Sequence, residues 1–169
     1  MITASHLRSA LIYDPETGIF TWKYREDTSV QWNGRYAGTT AGCICKPHKY
    51  LNIKIDGRRY PASRLAWLYM TGKWPENMVD HHDLDRGNNR WINLRDATRS
   101  QNGMNAPRRS DNTSGFKNVH WHKKHQCWTA QIFSGGKLVW LGSFKTKDAA
   151  YAAYCVAAAK IHKDFARVA

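Results

Sequence analysis

One segment, residues 79–105, constrains the fold more than any other part of this chain. It contains VDHHDLDRGNNRWINLRDATRSQNGMN, which combines four acidic residues, two adjacent histidines and several asparagines. Apolar residues on either side of a loop of turn formers predict two short strands, at residues 78–82 and 92–97. Thr98 is a suitable N-cap, so a helix over residues 98–105 is expected to follow. The segment is therefore predicted to fold as strand, loop, strand and helix.

The charge of the chain indicates the kind of partner it binds. The 169 residues include 26 Lys and Arg against 13 Asp and Glu, which gives a net charge of +13. Two basic arms, residues 1–75 and 106–169, flank a near-neutral centre at residues 76–105. Such an excess favours a polyanion, because each neutralised phosphate releases condensed counterions. An acidic membrane surface would instead favour a basic amphipathic helix, and the sequence contains no convincing one.

The sequence gives little support for a membrane segment or a structural zinc site. No apolar run approaches the roughly 20 residues that span a bilayer. The first residues lack the apolar stretch of a secretory signal, so a soluble, cytoplasmic protein is expected. The cysteines form one C-x-C pair and no C-x-x-C pair, which favours free thiols over structural zinc. They are Cys43, Cys45, Cys127 and Cys155.

The basic arms also show regular patterns. The N-terminal arm predicts a helix at 4–12, a strand at 19–24, a loop over 26–42, a hairpin of 50–55 and 58–61, and a helix from 62 that ends at Gly72. Residues 106–115 lack periodicity and predict a linker. Three alternating stretches and an alanine-rich helix capped by Thr146 follow, and they predict a small separate module. Its expected core includes Trp128, Ile132, Val139 and Leu141, and Trp140 is expected to pack within the sheet.

The central segment contains the groups that phosphodiester hydrolysis requires. A hard divalent metal prefers oxygen ligands, which the Asp80 carboxylate and the Asn102 amide could supply. His81 could act as the general base, with Asn93 or a backbone carbonyl holding one ring nitrogen. His82 is adjacent and competes for the same role. The alternative is a polar loop without chemistry.

The spacing of these residues resembles the HNH nucleases, specifically the phage and intron-associated homing endonucleases. The resemblance is carried by VDH at 79–81, NNR at 88–90, NLR at 93–95, Thr98 and Asn102, and it extends upstream to about residue 7. It implies a ββα-metal unit at 78–105 that holds one divalent cation, Mg²⁺ or Mn²⁺. His82, Leu84 and Asn88 depart from the residues usual at their positions.

The resemblance implies a role for each matching residue. Asp80 and Asn102 would be the metal ligands, and His81 would be the general base. Asn93 would fix the loop between the two strands. Arg90 and Arg95 match motif positions and are expected either on phosphate or within the loop.

The C-terminal arm resembles a second family, the plant ethylene-response-factor (ERF) type of DNA-binding domain. The resemblance depends on Gly115, NV at 118–119, WTAQI at 128–132, VWLGSF at 139–144 and AAYAAY at 149–154. The resemblance implies that one face of a three-stranded sheet contacts DNA, with Trp121 as a further candidate. His and Lys stand where Arg is usual, which weakens base specificity. Across the chain, the residues predicted to contact DNA are Arg90, Arg95, Arg99, Arg108, Arg109, Lys117, His120, His122, Lys124 and Gln131.

The sequence thus predicts an α+β protein with three parts. Residues 1–105 form an HNH nuclease domain, residues 106–115 a linker, and residues 116–169 an ERF-like domain whose three-stranded antiparallel sheet packs on one helix. The expected activity is metal-dependent cleavage of duplex DNA, one strand per active site, by a monomer or weak dimer. If the protein is phage-encoded, it would act in the host cytoplasm. A non-catalytic DNA-binding regulator and an RNA-binding protein remain the alternatives.

Overall fold

The computed structural model describes residues 1–46 and 49–166. The chain divides into two compact units, Met1–Ala97 and Thr98–Ala169, and both contain helices and sheets. The last three residues of the predicted C-terminal domain lie outside the described part. Within the described residues, no helix combines the length and the apolar character that crossing a membrane requires.

The first unit begins with a capped helix and a hairpin. Its elements are α1 (Ala4–Ala10), β1 (Leu11–Asp14), β2 (Ile19–Trp22) and α2 (Val30–Tyr36). Thr3 caps α1 by accepting a hydrogen bond from the His6 amide. The helix is two residues shorter than predicted, because Leu11 and Ile12 pair with Trp22 and Thr21 in the hairpin.

The prediction of a loop over residues 26–42 was wrong, because this stretch contains α2. Ser29 caps the helix by accepting a hydrogen bond from the Trp32 amide. Trp32 and Tyr36 are four residues apart and therefore share a face, which packs against the core of the unit. Tertiary packing thus stabilises a helix that its polar, glycine-containing sequence does not predict.

A three-stranded sheet follows, with the order β3-β4-β5 and antiparallel pairing. The strands are β3 (Cys43–Cys45), β4 (Tyr50–Ile55) and β5 (Arg58–Pro61), and the helix α3 (Ala62–Thr71) follows. Asp56 and Gly57 have φ values of 47° and 80°, as the predicted tight hairpin turn requires. The prediction that Gly72 ends α3 is confirmed, because it adopts the left-handed conformation.

The first unit ends in a two-stranded antiparallel pair. It consists of β6 (Met78–His81) and β7 (Leu94–Ala97), with a short 3₁₀ helix at Trp91–Asn93 before the second strand. Both strands lie where the sequence predicted them, to within two residues. Among the described residues of this unit, fourteen buried side chains form the core, including Leu7, Leu11, Phe20, Ile53, Ile55, Leu65 and Leu68.

The second unit begins with α4 (Arg99–Asn105). Thr98 accepts a hydrogen bond from the Gln101 amide, and the Gln101 side chain accepts one from the Thr98 amide. The predicted N-cap is therefore confirmed. The strands β8 (Val119–His122), β9 (Cys127–Ser134) and β10 (Lys137–Phe144) form an antiparallel sheet of order β10-β9-β8, and α5 (Lys147–His162) follows. Thr146 caps α5, as predicted.

The core of the second unit lies between one face of this sheet and α5. It is formed by Val119, Ala130, Ile132, Ala150, Tyr154 and Ala158. The prediction that Val139 is a core residue was wrong: it is 41% exposed, because it lies on the edge strand β10 with a neighbour on only one side. Trp140, expected to pack within the sheet, is 62% exposed on the opposite face.

Candidate active site

Asp80 lies in β6 and is buried, with 5% of its side chain exposed. Its cross-strand neighbour is Arg95 in β7. The Arg95 Nε and Nη2 atoms lie 2.9 Å and 2.8 Å from Asp80 Oδ2, and the arginine side chain is itself only 17% exposed. A buried carboxylate requires such compensation, because its desolvation costs several kcal/mol. Arg95, predicted on phosphate or within the loop, is held by this carboxylate.

His81 ends β6 and is also buried, at 4% exposure. Its Nε2 atom lies 3.3 Å from Asn89 Oδ1, and its ring centroid lies 6.2 Å from that of Tyr50. The prediction offered Asn93 or a backbone carbonyl as the partner of this ring nitrogen. The structure places the Asn89 side chain there instead. The competing His82 is exposed, so the two adjacent imidazoles occupy different environments.

Asn93 connects the two ends of the loop between β6 and β7. Its side-chain Nδ2 donates hydrogen bonds to Asp83 Oδ1 at 3.0 Å and to the Asn88 carbonyl at 2.8 Å. Its Oδ1 accepts one from the Asp83 amide, and its carbonyl accepts one from the His82 amide. Asn93 is 7% exposed, so these bonds replace those it would make with water.

Asp83, which the sequence did not predict to have a role, accepts several hydrogen bonds within the same loop. Its carboxylate accepts hydrogen bonds from the Asp85 amide at 2.8 Å and from Asn88 Nδ2 at 2.6 Å, besides that from Asn93. Burial acts to raise the pKa of Asp83, but these hydrogen bonds and the nearby His81 together bring it below its usual value. The D-x-D spacing of Asp83 and Asp85 is typical of such turns and could have indicated this role.

The β1–β2 turn supports the loop from the other side. The Tyr13 hydroxyl donates to the Asn89 carbonyl at 2.7 Å, and Arg90 Nε donates to the Glu16 carbonyl at 2.6 Å. Burial, and secondarily the Asp14 charge, raise the pKa of Tyr13, which keeps its hydroxyl a donor. Gly18 permits the close approach, since a Cβ there would lie 2.4 Å from backbone atoms of residues 89 and 90. Arg90 is therefore part of the support of the loop.

Arg86 lies on the exposed side of the same loop. Its guanidinium is 4.8 Å from the Tyr50 ring centroid, which is a cation–π distance. The same ring neighbours His81. The sequence does not predict a role for Arg86, because only the fold brings Tyr50 of β4 beside this loop.

Asn102 and Arg99 belong to the second unit, on α4, whereas Asp80 and His81 belong to the first. Asn102 is half-buried and Arg99 is exposed. Coordination of one metal by Asp80 and Asn102 stays a prediction from their spacing. Within residues 1–46 and 49–166, no group of three or more His, Cys, Asp or Glu could hold a metal ion. One carboxylate and one amide are nevertheless oxygen donors of the kind that Mg²⁺ prefers.

The residues predicted to contact DNA from the C-terminal sheet fall into two groups. His120, His122 and Gln131 lie on the face opposite the buried Ala130 and Ile132, as their strand register requires. The exposed Trp140 pairs with Gln131 and shares that face. Trp121, by contrast, lies on the face of α5, where it pairs with Trp128 across the strands.

Some of the basic residues outside the strands are hydrogen-bonded within the protein, and others are exposed. The Lys117 ammonium donates to the carbonyls of Met104 and Ala106, at 2.6 Å and 2.7 Å, and so stabilises the end of α4. Arg109 Nε and Nη2 donate to the Asp111 carboxylate at 2.9 Å and 2.8 Å. Arg108 and Lys124 are exposed.

Comparison with known proteins finds a family match that includes the strand–loop–strand segment. Residues 60–104 match the HNH endonuclease family. The matched segment includes Asp80, His81 and Asn93. It is also 30% identical to protein 3.8 of Escherichia phage T7 over 84 residues, which are 49% of this chain and 67% of the phage protein. The chain belongs to the family of that phage protein. No solved structure matches it.

Proposed function

We propose that this protein is a metal-dependent endonuclease that hydrolyses phosphodiester bonds in duplex DNA and nicks one strand per active site. The main support is the environment of two adjacent residues. Asp80 and His81 are both buried at the end of β6, and each has a polar partner, Arg95 and Asn89 respectively. Both lie in the segment that matches the HNH endonuclease family. Two adjacent ionisable side chains that are both buried and have polar partners at the end of one strand are candidates for a catalytic site.

The proposed roles follow from the chemistry of these groups. Asp80 is a metal ligand, and the sequence spacing supports Asn102 as the second. When bound, Mg²⁺ or Mn²⁺ supplies positive charge to the phosphate and to the leaving oxygen. His81 removes a proton from the attacking water. Asn93 is a positioning residue, because its hydrogen bonds to Asp83 and Asn88 hold the loop between β6 and β7.

The second unit would hold the duplex, as its ERF-type resemblance implies. This proposal is supported by the sheet face that carries His120, His122 and Gln131, by the exposed Lys124 and by the basic charge of residues 106–169. Arg99 and Arg108 are the exposed candidates for phosphate contact near α4. Lys117 and Arg109 would have to exchange their present partners to contact DNA, and Arg90 and Arg95 support the loop and Asp80. The protein would act as a monomer or weak dimer in the host cytoplasm.

Supercoiled plasmid incubated with the protein in Mg²⁺, Mn²⁺ or EDTA tests the proposal. Conversion to nicked circles in either metal, and none in EDTA, is the expected result. Tight duplex binding without relaxation would contradict it and favour a DNA-binding regulator. Binding that is stronger to RNA than to duplex DNA would instead favour an RNA-binding protein. Mapping of the cut ends on a random-sequence library then reports strand number and specificity together.

A further inference from the structure

Asn89 carries a polar amide into one of the most buried positions of the loop, with only 2% of its surface exposed. Its Nδ2 donates a hydrogen bond to the Gly87 carbonyl at 3.0 Å. Its Oδ1 lies 3.3 Å from His81 Nε2. A buried amide in a loop needs such partners, because an unpaired polar group costs about 1–3 kcal/mol. The partners in turn determine which way the amide faces.

The direction of these two contacts is fixed by donor and acceptor chemistry. A backbone carbonyl only accepts hydrogen bonds, so the Asn89 Nδ2 group must face Gly87. Oδ1 therefore faces His81, and it too can only accept. The hydrogen bond at this distance thus requires a proton on His81 Nε2. In the neutral ring, Nδ1 then carries the lone pair.

The backbone of Asn89 is held in place independently of its side chain. The buried hydroxyl of Tyr13 donates to the Asn89 carbonyl at 2.7 Å. The β1–β2 turn lies against residues 89 and 90 so closely that Gly18 has no room for a Cβ. The amide is therefore presented to His81 from a fixed point of the first unit.

We infer that Asn89 is a positioning residue that holds His81 in the Nε2–H tautomer and so makes Nδ1 the atom that accepts the proton. This inference rests on the proposed nuclease function. In the reaction, the proton of the attacking water moves to Nδ1 and the water oxygen forms a bond to phosphorus. The bond from phosphorus to the 3′ oxygen breaks, and that oxygen leaves with the electron pair and takes a proton from solvent. In the opposite tautomer, Nδ1 would carry a proton and could accept none.

Three single substitutions in the 169-residue chain separate positioning of His81 from general support of the loop. Asn89→Leu keeps the approximate volume and removes the acceptor. Asn89→Asp keeps an oxygen acceptor for His81, although it replaces the Nδ2 donor to the Gly87 carbonyl with a second oxygen. Asn88→Leu is the matched control, since it removes two side-chain hydrogen bonds of the same loop, to the Asp83 carboxylate and from the Arg90 amide. If the role of Asn89 is only structural, the two leucine variants should behave alike.

The direct readout is the ¹⁵N NMR spectrum of the His81 ring, without DNA or metal, well above the ordinary imidazole pKa of about 6.5. We expect the Nε2–H tautomer in the wild type, Asn89→Asp and Asn88→Leu, and a mixture in Asn89→Leu. A wild-type proton on Nδ1, or an unchanged spectrum in Asn89→Leu, would overturn the inference.

Single-turnover cleavage at saturating DNA is the second readout. Asn89→Leu should be slower by at least about tenfold, because a base in the wrong tautomer forfeits general-base catalysis worth about 10²–10⁴-fold. Its affinity for DNA should be unchanged, and Asn89→Asp should be faster than Asn89→Leu. Equal rates in the wild type and Asn89→Leu would contradict the inference. A wild type that cuts no DNA would instead refute the proposed function. The ¹⁵N NMR spectra would still show whether Asn89 determines the tautomer of His81.

Discussion

Asp80 and Arg95 show how a single residue pair sets the character of the site. The two side chains face each other across β6 and β7, and both are largely removed from water. The guanidinium balances the charge of a carboxylate that the proposed mechanism needs ionised. Sequence spacing predicts Asp80 as a metal ligand but does not predict its pairing with Arg95, because the partner of a carboxylate depends on strand register, which a motif does not specify.

Substitution of Arg95 should therefore cost stability before it affects DNA binding. Arg95→Met leaves Asp80 buried without its cation and should lower the free energy of unfolding by about 3 kcal/mol, as for other broken buried pairs. Urea unfolding of Arg95→Met, Asp80→Asn and the double variant measures this. The double variant should recover part of the loss, because the uncompensated charge is gone. A loss below about 0.5 kcal/mol in Arg95→Met, the size typical of surface substitutions, would show that the pair is not stabilising.

Acid stability depends on another residue cluster, formed by Arg25, Asp56 and His6. The hydrogen bond from Arg25 lowers the pKa of Asp56 below its ordinary 3.8; burial opposes this shift, and His6 adds to it. The folded protein thus binds this proton less readily than the unfolded chain, so the stabilisation is complete above 3.8 and is lost as pH falls through the folded pKa. Asp56→Asn should weaken the loss of stability seen in urea as pH falls below 3.8. An unchanged pH dependence in that variant would contradict the assignment.

At the scale of elements, the sequence predicted the structure well where a capping or turn residue alone decides where an element begins or ends. Thr98, Thr146 and Gly72 begin or end helices as their side chains predict, and the Asp56–Gly57 turn forms the expected hairpin. The prediction failed where packing decides, as in α2, whose aromatic face is stabilised by the core. For the same reason Asn89 could not be identified as the partner of His81. Its position depends on the distant β1–β2 turn.

The contact between that turn and the loop should be sensitive to one glycine. Gly18→Ala would place a Cβ 2.4 Å from backbone atoms, besides the strain of a φ of 74°. Gly57→Ala is the matched control, because its φ of 80° is similar but no atom lies near its Cβ. We expect Gly18→Ala to lose more stability than Gly57→Ala by about 1–3 kcal/mol, the usual cost of overpacking. Equal losses in urea unfolding would show that the turn can withdraw without cost.

At the scale of the whole molecule, the excess of positive charge should make DNA binding strongly dependent on salt. Two adjacent arginines allow the contributions to be separated. Arg108 is exposed, whereas Arg109 is paired with Asp111, which raises the pKa of the arginine. Arg108→Ala should reduce the slope of log affinity against log salt by about 1, as for one lost phosphate contact. Arg109→Ala should reduce it less, and the reverse order in fluorescence titrations would contradict this assignment.

The measurement that tests the central claim most directly compares two adjacent histidines. Supercoiled plasmid is incubated with Mn²⁺ and the wild type, His81→Ala or His82→Ala, and nicked circles are quantified over time. His81 is buried against Asn89 and His82 is exposed, so we predict that the wild type and His82→Ala nick the plasmid and that His81→Ala does not. Nicking that survives in His81→Ala, or that is lost only in His82→Ala, would contradict it.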